Sequence, residues 1–140
     1  MDEEDNGILV AAHELKAPLA LIRQLAFAFV QKQLYEYYGD KEIIKAYYPA
    51  FLKQVQFISA NAKDYMIEKC INDHESLEER IPALFATAHY YHHVQLLVEF
   101  AQILGKKEDV QSYTQLAEQI RKAFITRFVS TGDGIVGNGT

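Results

Sequence analysis

Three groups of side chains carry residue types that chemistry needs. His13 is followed directly by Glu14, and an imidazole beside a carboxylate is an activated nitrogen nucleophile. Asp73, His74 and Glu75 stand together in a polar, irregular stretch between Ile71 and Arg80. A carboxylate with no facing partner has little acid–base chemistry to do, and Glu75 or Ser76 suits a helix cap equally well. His89 and His93 lie one helical turn apart with His92 between them, a spacing that can hold a metal. No third ligand stands at a suitable spacing and the neighbours Tyr90, Tyr91 and Val94 are core types, so these histidines are expected to be structural. Cys70 is the single cysteine, which excludes an intrachain disulfide and a multi-cysteine metal site. No metal and no cofactor are expected.

The elements that must position these groups are helices. The 140 residues hold 7 glycines and 3 prolines, well below the ~12% of average usage, which points to few turns and long helices. Hydrophobic residues make up 49% and charged residues 24%, the balance of one folded domain. From Ile8 the apolar positions Leu15, Leu19, Ile22, Ala26 and Phe29 recur every three or four residues, predicting a helix to about Tyr38 with a bend at Pro18. His13 falls roughly 200° from Leu15 on that wheel and should face solvent. Asp40 is a candidate N-cap for a short helix from Lys41 to about Tyr48. Pro49 then suits the first turn of a separate helix with the stripe Phe51, Val55, Ile58 and Ala62.

Pro82 opens a further helix. Its stripe Tyr90, Val94, Leu97, Ala101 and Leu104 is joined by Phe85, Ala88, Leu96 and Ile103 on another face, so it should be buried. Gly105 ends it, and Val110, Tyr113, Ala117, Ile120, Phe124 and Phe128 trace the single face of a last helix. Glu108 and Asp109 at its start and Lys122 and Arg127 near its end suit the helix dipole. The short connection makes these last two helices an antiparallel hairpin. The glycine-rich tail after Ser130 shows no pattern. The fold class read from this is all-α.

Charge and hydropathy exclude several partners. The net charge is −5 with no basic run, so a nucleic-acid surface is not expected. The start Met1-Asp2-Glu3-Glu4-Asp5 is acidic where a secretory signal is basic, and Arg23 and Gln24 break the apolar stretch short of the ~18 residues of a membrane span. No membrane partner is expected, and the localisation expected is cytoplasmic.

Two segments resemble known families. Ala11-Ala12-His13-Glu14-Leu15-Lys16-Ala17-Pro18-Leu19-Ala20-Leu21-Ile22-Arg23 resembles the H-box of sensor histidine kinases. The resemblance implies that His13 is a phosphoacceptor, Glu14 its base and Pro18 a bend in a dimerisation helix. No nucleotide-binding domain or glycine-rich ATP lid follows, so His13 would be a substrate for another protein's kinase domain.

From about Leu34 the chain resembles the α-L-rhamnosidases and related six-hairpin glycosidases. The residues carrying this are Leu34-Tyr35-Glu36-Tyr37-Tyr38-Gly39-Asp40-Lys41-Glu42-Ile43, Tyr48-Pro49, Asn72-Asp73-His74-Glu75-Ser76-Leu77, Ala86-Thr87-Ala88-His89-Tyr90-Tyr91, Leu104-Gly105-Lys106-Lys107-Glu108-Asp109 and Asn138-Gly139-Thr140. The resemblance implies antiparallel helical hairpins forming part of an (α/α) six-hairpin toroid. A closed barrel needs twelve helices, which 140 residues do not supply.

In that family the loop matching 72–76 lines the sugar pocket. Asp73 would bond a sugar hydroxyl, His74 would replace a stacking aromatic, and Glu75 would be the nearest extra carboxylate. Inverting hydrolysis needs two carboxyl groups ~6.5–9.5 Å apart, and Asp73 and Glu75 are too close in sequence to face each other unless the loop splays them. The family's acid lies upstream of the Leu34 match and its base in later hairpins, so hydrolysis by this chain alone is not expected. The organisation expected is an H-box-like amphipathic helix over 1–33 and a rhamnosidase-like hairpin segment over 34–140, binding a rhamnoside. Its uncovered apolar faces should self-associate or take up the missing barrel segments.

Overall fold

The computed structural model describes residues 17–68 and 81–137, with side chains described from residue 26 onward. Four helices follow one another: α1 Ala17–Tyr38, α2 Lys41–Asn61, α3 Pro82–Ile103 and α4 Lys107–Phe128. Among the described residues no strand forms, only the isolated bridges Lys63↔Met66 and Val129↔Val136. No described helix is long and apolar enough to cross a membrane.

The helix ends lie where local chemistry puts them. Gly39 takes a positive φ after α1, and the Asp40 carboxylate then accepts from the Glu42 and Ile43 N–H groups at 3.0 and 3.4 Å, capping α2. Pro82 occupies the first turn of α3, where its missing N–H is no loss. After α3, Lys106 N–H donates to the Ala101 carbonyl and Gly105 N–H to that of Gln102, with Gly105 at φ +71°, the paired bonds of a Schellman stop.

Pro49 does not begin a helix. It sits inside α2, which runs unbroken from Lys41 to Asn61. A proline removes one helical hydrogen bond and crowds the preceding turn, at about 3 kcal/mol. Ile44, Tyr48, Phe51, Val55 and Ile58 are all buried along one face of this single helix. Fully burying side chains of this size stabilises by ~1.5–3 kcal/mol each, so continuing the helix outweighs the proline.

α3 is the central element, packing against each of the other three. Its buried residues include Tyr90, Val94, Leu96, Leu97, Phe100 and Ala101, which join Ala28 of α1, the α2 stripe, and Ala117 and Ile120 of α4 in one core. Burial on more than one face holds for its C-terminal half only, since Phe85 and Ala88 are exposed. α1 turns a different face inward from the expected one: Ala28 and Gln31 are buried while Ala26 and Phe29 are exposed. Ala28 lets the backbone approach α2 and α3 closely, and Phe29 lies instead at the seam, its ring 4.7 Å from that of His92.

α3 and α4 form the expected antiparallel hairpin. The pairs Phe29–His92 and Lys32–Glu99 advance together, so α1 and α3 run parallel. The bundle therefore has one end closed by two tight turns, at Gly39 and Gly105. There the Tyr48 hydroxyl donates to Asp109 at 2.6 Å and Lys106 lies over the Tyr48 ring. The opposite end is built from longer connections.

Candidate functional site

At that opposite end the C-terminus of α2, the N-terminus of α3 and the C-terminus of α4 converge. Residues 62–68 leave α2 through a tight reversal in which Lys63 and Met66 exchange backbone hydrogen bonds of 2.9 and 3.0 Å. Its two central residues, Asp64 and Tyr65, both take left-handed conformations, φ 51° and 64°. A two-residue hairpin turn of this hand favours Asn-Gly or Asp-Gly. Aspartate tolerates the conformation, whereas a tyrosine there is strained by about 1–2 kcal/mol.

The reversal is fixed on both sides. Met66 is buried with Ala83 and Phe128 in a second small core. The Ile67 N–H donates to the Thr87 hydroxyl at 3.2 Å, and that hydroxyl donates to the Ile67 carbonyl at 3.5 Å. Arg127, near the end of α4, grips Glu68 with two nitrogens at 2.5 and 3.1 Å while its guanidinium lies over the Phe128 ring. These bonds hold the Glu68 carboxyl below the usual carboxylate range and raise Arg127 further.

The tail after α4 does have a pattern. Gly137 N–H donates to the Phe128 carbonyl at 2.7 Å and Ser130 N–H to that of Ile135 at 2.9 Å, closing a turn around Asp133. Asp133 accepts from the Ile135 N–H at 3.1 Å, which, with the Ser130 hydroxyl, holds its carboxyl low. Gly137, at φ +88°, stands over the start of α3: a Cβ there would meet Ile81 and Leu84 at 3.8 Å.

His13, Glu14, Asp73, His74 and Glu75 lie outside the described residues. The described residues that bound the 69–80 segment are Glu68, clamped by Arg127, and Ile81, packed on the second core; both belong to this end. Close by, the Tyr90 hydroxyl donates to Ser59 at 2.9 Å. Burial raises the Tyr90 phenol above its ordinary value, the bond to Ser59 opposes it, and the phenols of Tyr65 and Tyr113 add smaller contributions to the rise.

Two of the three helix histidines, His92 and His93, take separate places. His93 is fully buried, with its Nδ1 2.8 Å from the His89 carbonyl on its own helix. His92 faces α1, beside Phe29 and the Lys32–Glu99 ion pair of 2.8 Å. Burial holds its imidazole below the usual value, Lys32 and His89 act in the same direction, and Glu99 opposes them. Among the described residues no three His, Cys, Asp or Glu side chains gather into a metal-binding group.

The turn at Asp64-Tyr65 and the Glu68–Arg127 clamp carried no sequence signal. The turn lacks glycine, and the clamp joins residues 59 positions apart.

Residues 23–140 match the family described as the bacterial alpha-L-rhamnosidase 6 hairpin glycosidase domain. An alpha-L-rhamnosidase of Streptomyces avermitilis is 28% identical over 108 residues, 75% of this chain and 10% of that protein. One from Formosa agariphila is 26% identical over 109 residues, 71% of this chain and 12% of that protein. The solved alpha-L-rhamnosidase of Dictyoglumus thermophilum superposes with a TM-score of 0.68 at 30% identity, covering 76% of this chain and 13% of that one. The Streptomyces avermitilis structure, complexed with L-rhamnose, gives 0.67 at 30% identity, covering 76% and 10%. The chain thus spans about a tenth of the length of these relatives, and its two helical hairpins are part of a helical toroid rather than a closed one. The match starts at residue 23, and α1 continues from there without a break through positions 33 and 34 into the turn before α2. With more than three quarters of its residues inside that match, the chain belongs to the bacterial alpha-L-rhamnosidase six-hairpin glycosidase family.

Proposed function

We propose that this chain is a rhamnoside-contacting portion of the helical domain of a glycoside hydrolase, and that it meets sugar at the end bounded by residues 62–68, 81–87 and 128–137. The observation that supports this most is the TM-score of 0.68 at 30% identity to an alpha-L-rhamnosidase, with both described flanks of the Asp73-His74-Glu75 segment anchored at that end. Asp73 is assigned a hydrogen bond to a sugar hydroxyl, His74 a place against the sugar ring, and Glu75 the role of a neighbouring acceptor.

The test is a nuclear magnetic resonance titration of the chain with methyl α-L-rhamnoside. Amide shifts concentrated in the three named stretches, and weakened at least fivefold by Asp73→Ala, are the expected result. Shifts confined to the Gly39 and Gly105 end overturn the assignment. Release of nitrophenol from an aryl α-L-rhamnoside stays at background, because hydrolysis needs an acid and a base on opposite sides of the bond. The alternative reading, a phosphoacceptor at His13 with Glu14 as its base in a two-component phosphorelay, rests on the His13-Glu14-Leu15-Lys16-Ala17-Pro18-Leu19 order alone. Acid-labile label from ATP in the presence of an added histidine-kinase catalytic domain, lost in His13→Gln, would favour it over the rhamnoside reading.

A further inference from the structure

Tyr65 is out of place in the fold it belongs to. It occupies the left-handed second position of a two-residue reversal, φ 64°, where glycine or asparagine would sit without strain. The strain does not bury Tyr65 itself: the residue is 46% exposed and belongs to neither apolar cluster, while its neighbour Met66 is the residue buried. The surroundings nonetheless hold the reversal rigidly, through the Lys63–Met66 bonds, the Thr87 hydroxyl on Ile67 and the Arg127 clamp on Glu68. A non-glycine residue kept in such a conformation by its neighbours is characteristic of ligand-contact positions.

What the turn presents is an exposed aromatic residue next in sequence to the exposed Asp64, at the end to which the described residues Glu68 and Ile81 belong. That is the chemistry a sugar uses. One face of a pyranose carries C–H groups that lie against an aromatic ring, and its hydroxyls donate to carboxylate oxygens. A 6-deoxyhexose adds a methyl group, which increases the apolar share of that face. The reversal is tied on both sides by backbone and side-chain bonds, so little ordering would be needed on binding.

We infer that Tyr65 is a sugar-contacting residue: its ring stacks on the C–H face of a rhamnoside and the Asp64 carboxylate accepts from the sugar's hydroxyls. This assignment rests on the rhamnoside reading above and adds to it a contact outside the Asp73-His74-Glu75 segment.

The test uses the 140-residue chain and methyl α-L-rhamnoside. In the unaltered chain, nuclear Overhauser effects are expected between the Tyr65 ring protons and the ring and methyl protons of the sugar. Tyr65→Asn keeps a residue that tolerates the turn but removes the ring, and should raise Kd at least fivefold with the helical circular dichroism intact. Tyr65→Phe keeps the ring and should bind within twofold of the unaltered chain. Binding by the unaltered chain with no Overhauser contact to Tyr65, or with Tyr65→Asn binding equally well, overturns this inference and leaves the rhamnoside reading standing. Equal loss in Tyr65→Phe and Tyr65→Asn overturns the stacking role in favour of the hydroxyl. Absence of any binding by the unaltered chain overturns both readings together.

Discussion

At the scale of single residues, the described ionisable groups favour neutral over acidic solution. His92 has its folded-state value held below the ordinary one by burial at the α1–α3 seam, with Lys32 and His89 adding to the effect and Glu99 opposing it. The unfolded chain therefore binds the proton more readily than the folded one. The contribution of His92 is complete above its ordinary value, near 6.5, and is lost as pH falls below it. Glu68, held low by Arg127, acts in the same direction but in a lower window, below its ordinary 4.5. Thermal midpoints measured from pH 7.5 down to 5 should fall, and His92→Phe should flatten that slope while leaving the decline below pH 5 in place. An unchanged slope in His92→Phe would show that the imidazole is not differentially desolvated. The phenol of Tyr48 is different: burial first, and then the Asp109 carboxylate, push it well up, so it stays protonated over this range.

At the scale of elements, α2 contains the sharpest conflict between local preference and packing. Pro49 is placed inside a helix of 21 residues, with buried side chains before and after it on the same face. Helix propensity alone favours Pro49→Ala by about 3 kcal/mol, reduced to the extent that the helix is already bent to suit the ring. The variant should therefore raise the thermal midpoint, by an amount corresponding to about 1–3 kcal/mol. A lowered midpoint in calorimetry would mean that a bend at Pro49 is what lets Tyr48 and Phe51 reach the core together. Further along the chain, Thr87 joins an element to a loop. Its side chain is fully buried in α3 and its hydroxyl satisfies the Ile67 backbone, so it holds the 62–68 reversal in place.

At the scale of the whole molecule, α1 and α2 carry exposed apolar side chains. Phe27 and Val30 of α1 are about half exposed, as is Phe57 of α2. Exposed apolar groups of this size associate when they are contiguous. The sedimentation coefficient is accordingly expected to rise with concentration, and Phe27→Ser with Val30→Ser should reduce the rise. A single monomeric species over the whole concentration range, in the unaltered chain, would show that these residues do not form an association surface.

What the sequence determined by itself are the features whose causes lie within a few residues: the cap at Asp40, the start at Pro82, the stop at Gly105, and the single apolar face of α4. Each follows from one side chain or one repeating spacing acting on the nearest turn of helix. The tertiary structure alone decided that α2 passes through Pro49, which face α1 buries, and how the loop end is assembled. Those outcomes depend on partners far along the chain, with Ile67 and Thr87 20 positions apart and Glu68 and Arg127 59. Tyr65 shows the difference most plainly. Read in sequence it is an ordinary tyrosine after an aspartate. Its left-handed conformation emerges only in the folded chain, where Met66 is buried with Phe128, Thr87 bonds Ile67 and Arg127 holds Glu68, and no local propensity encodes it.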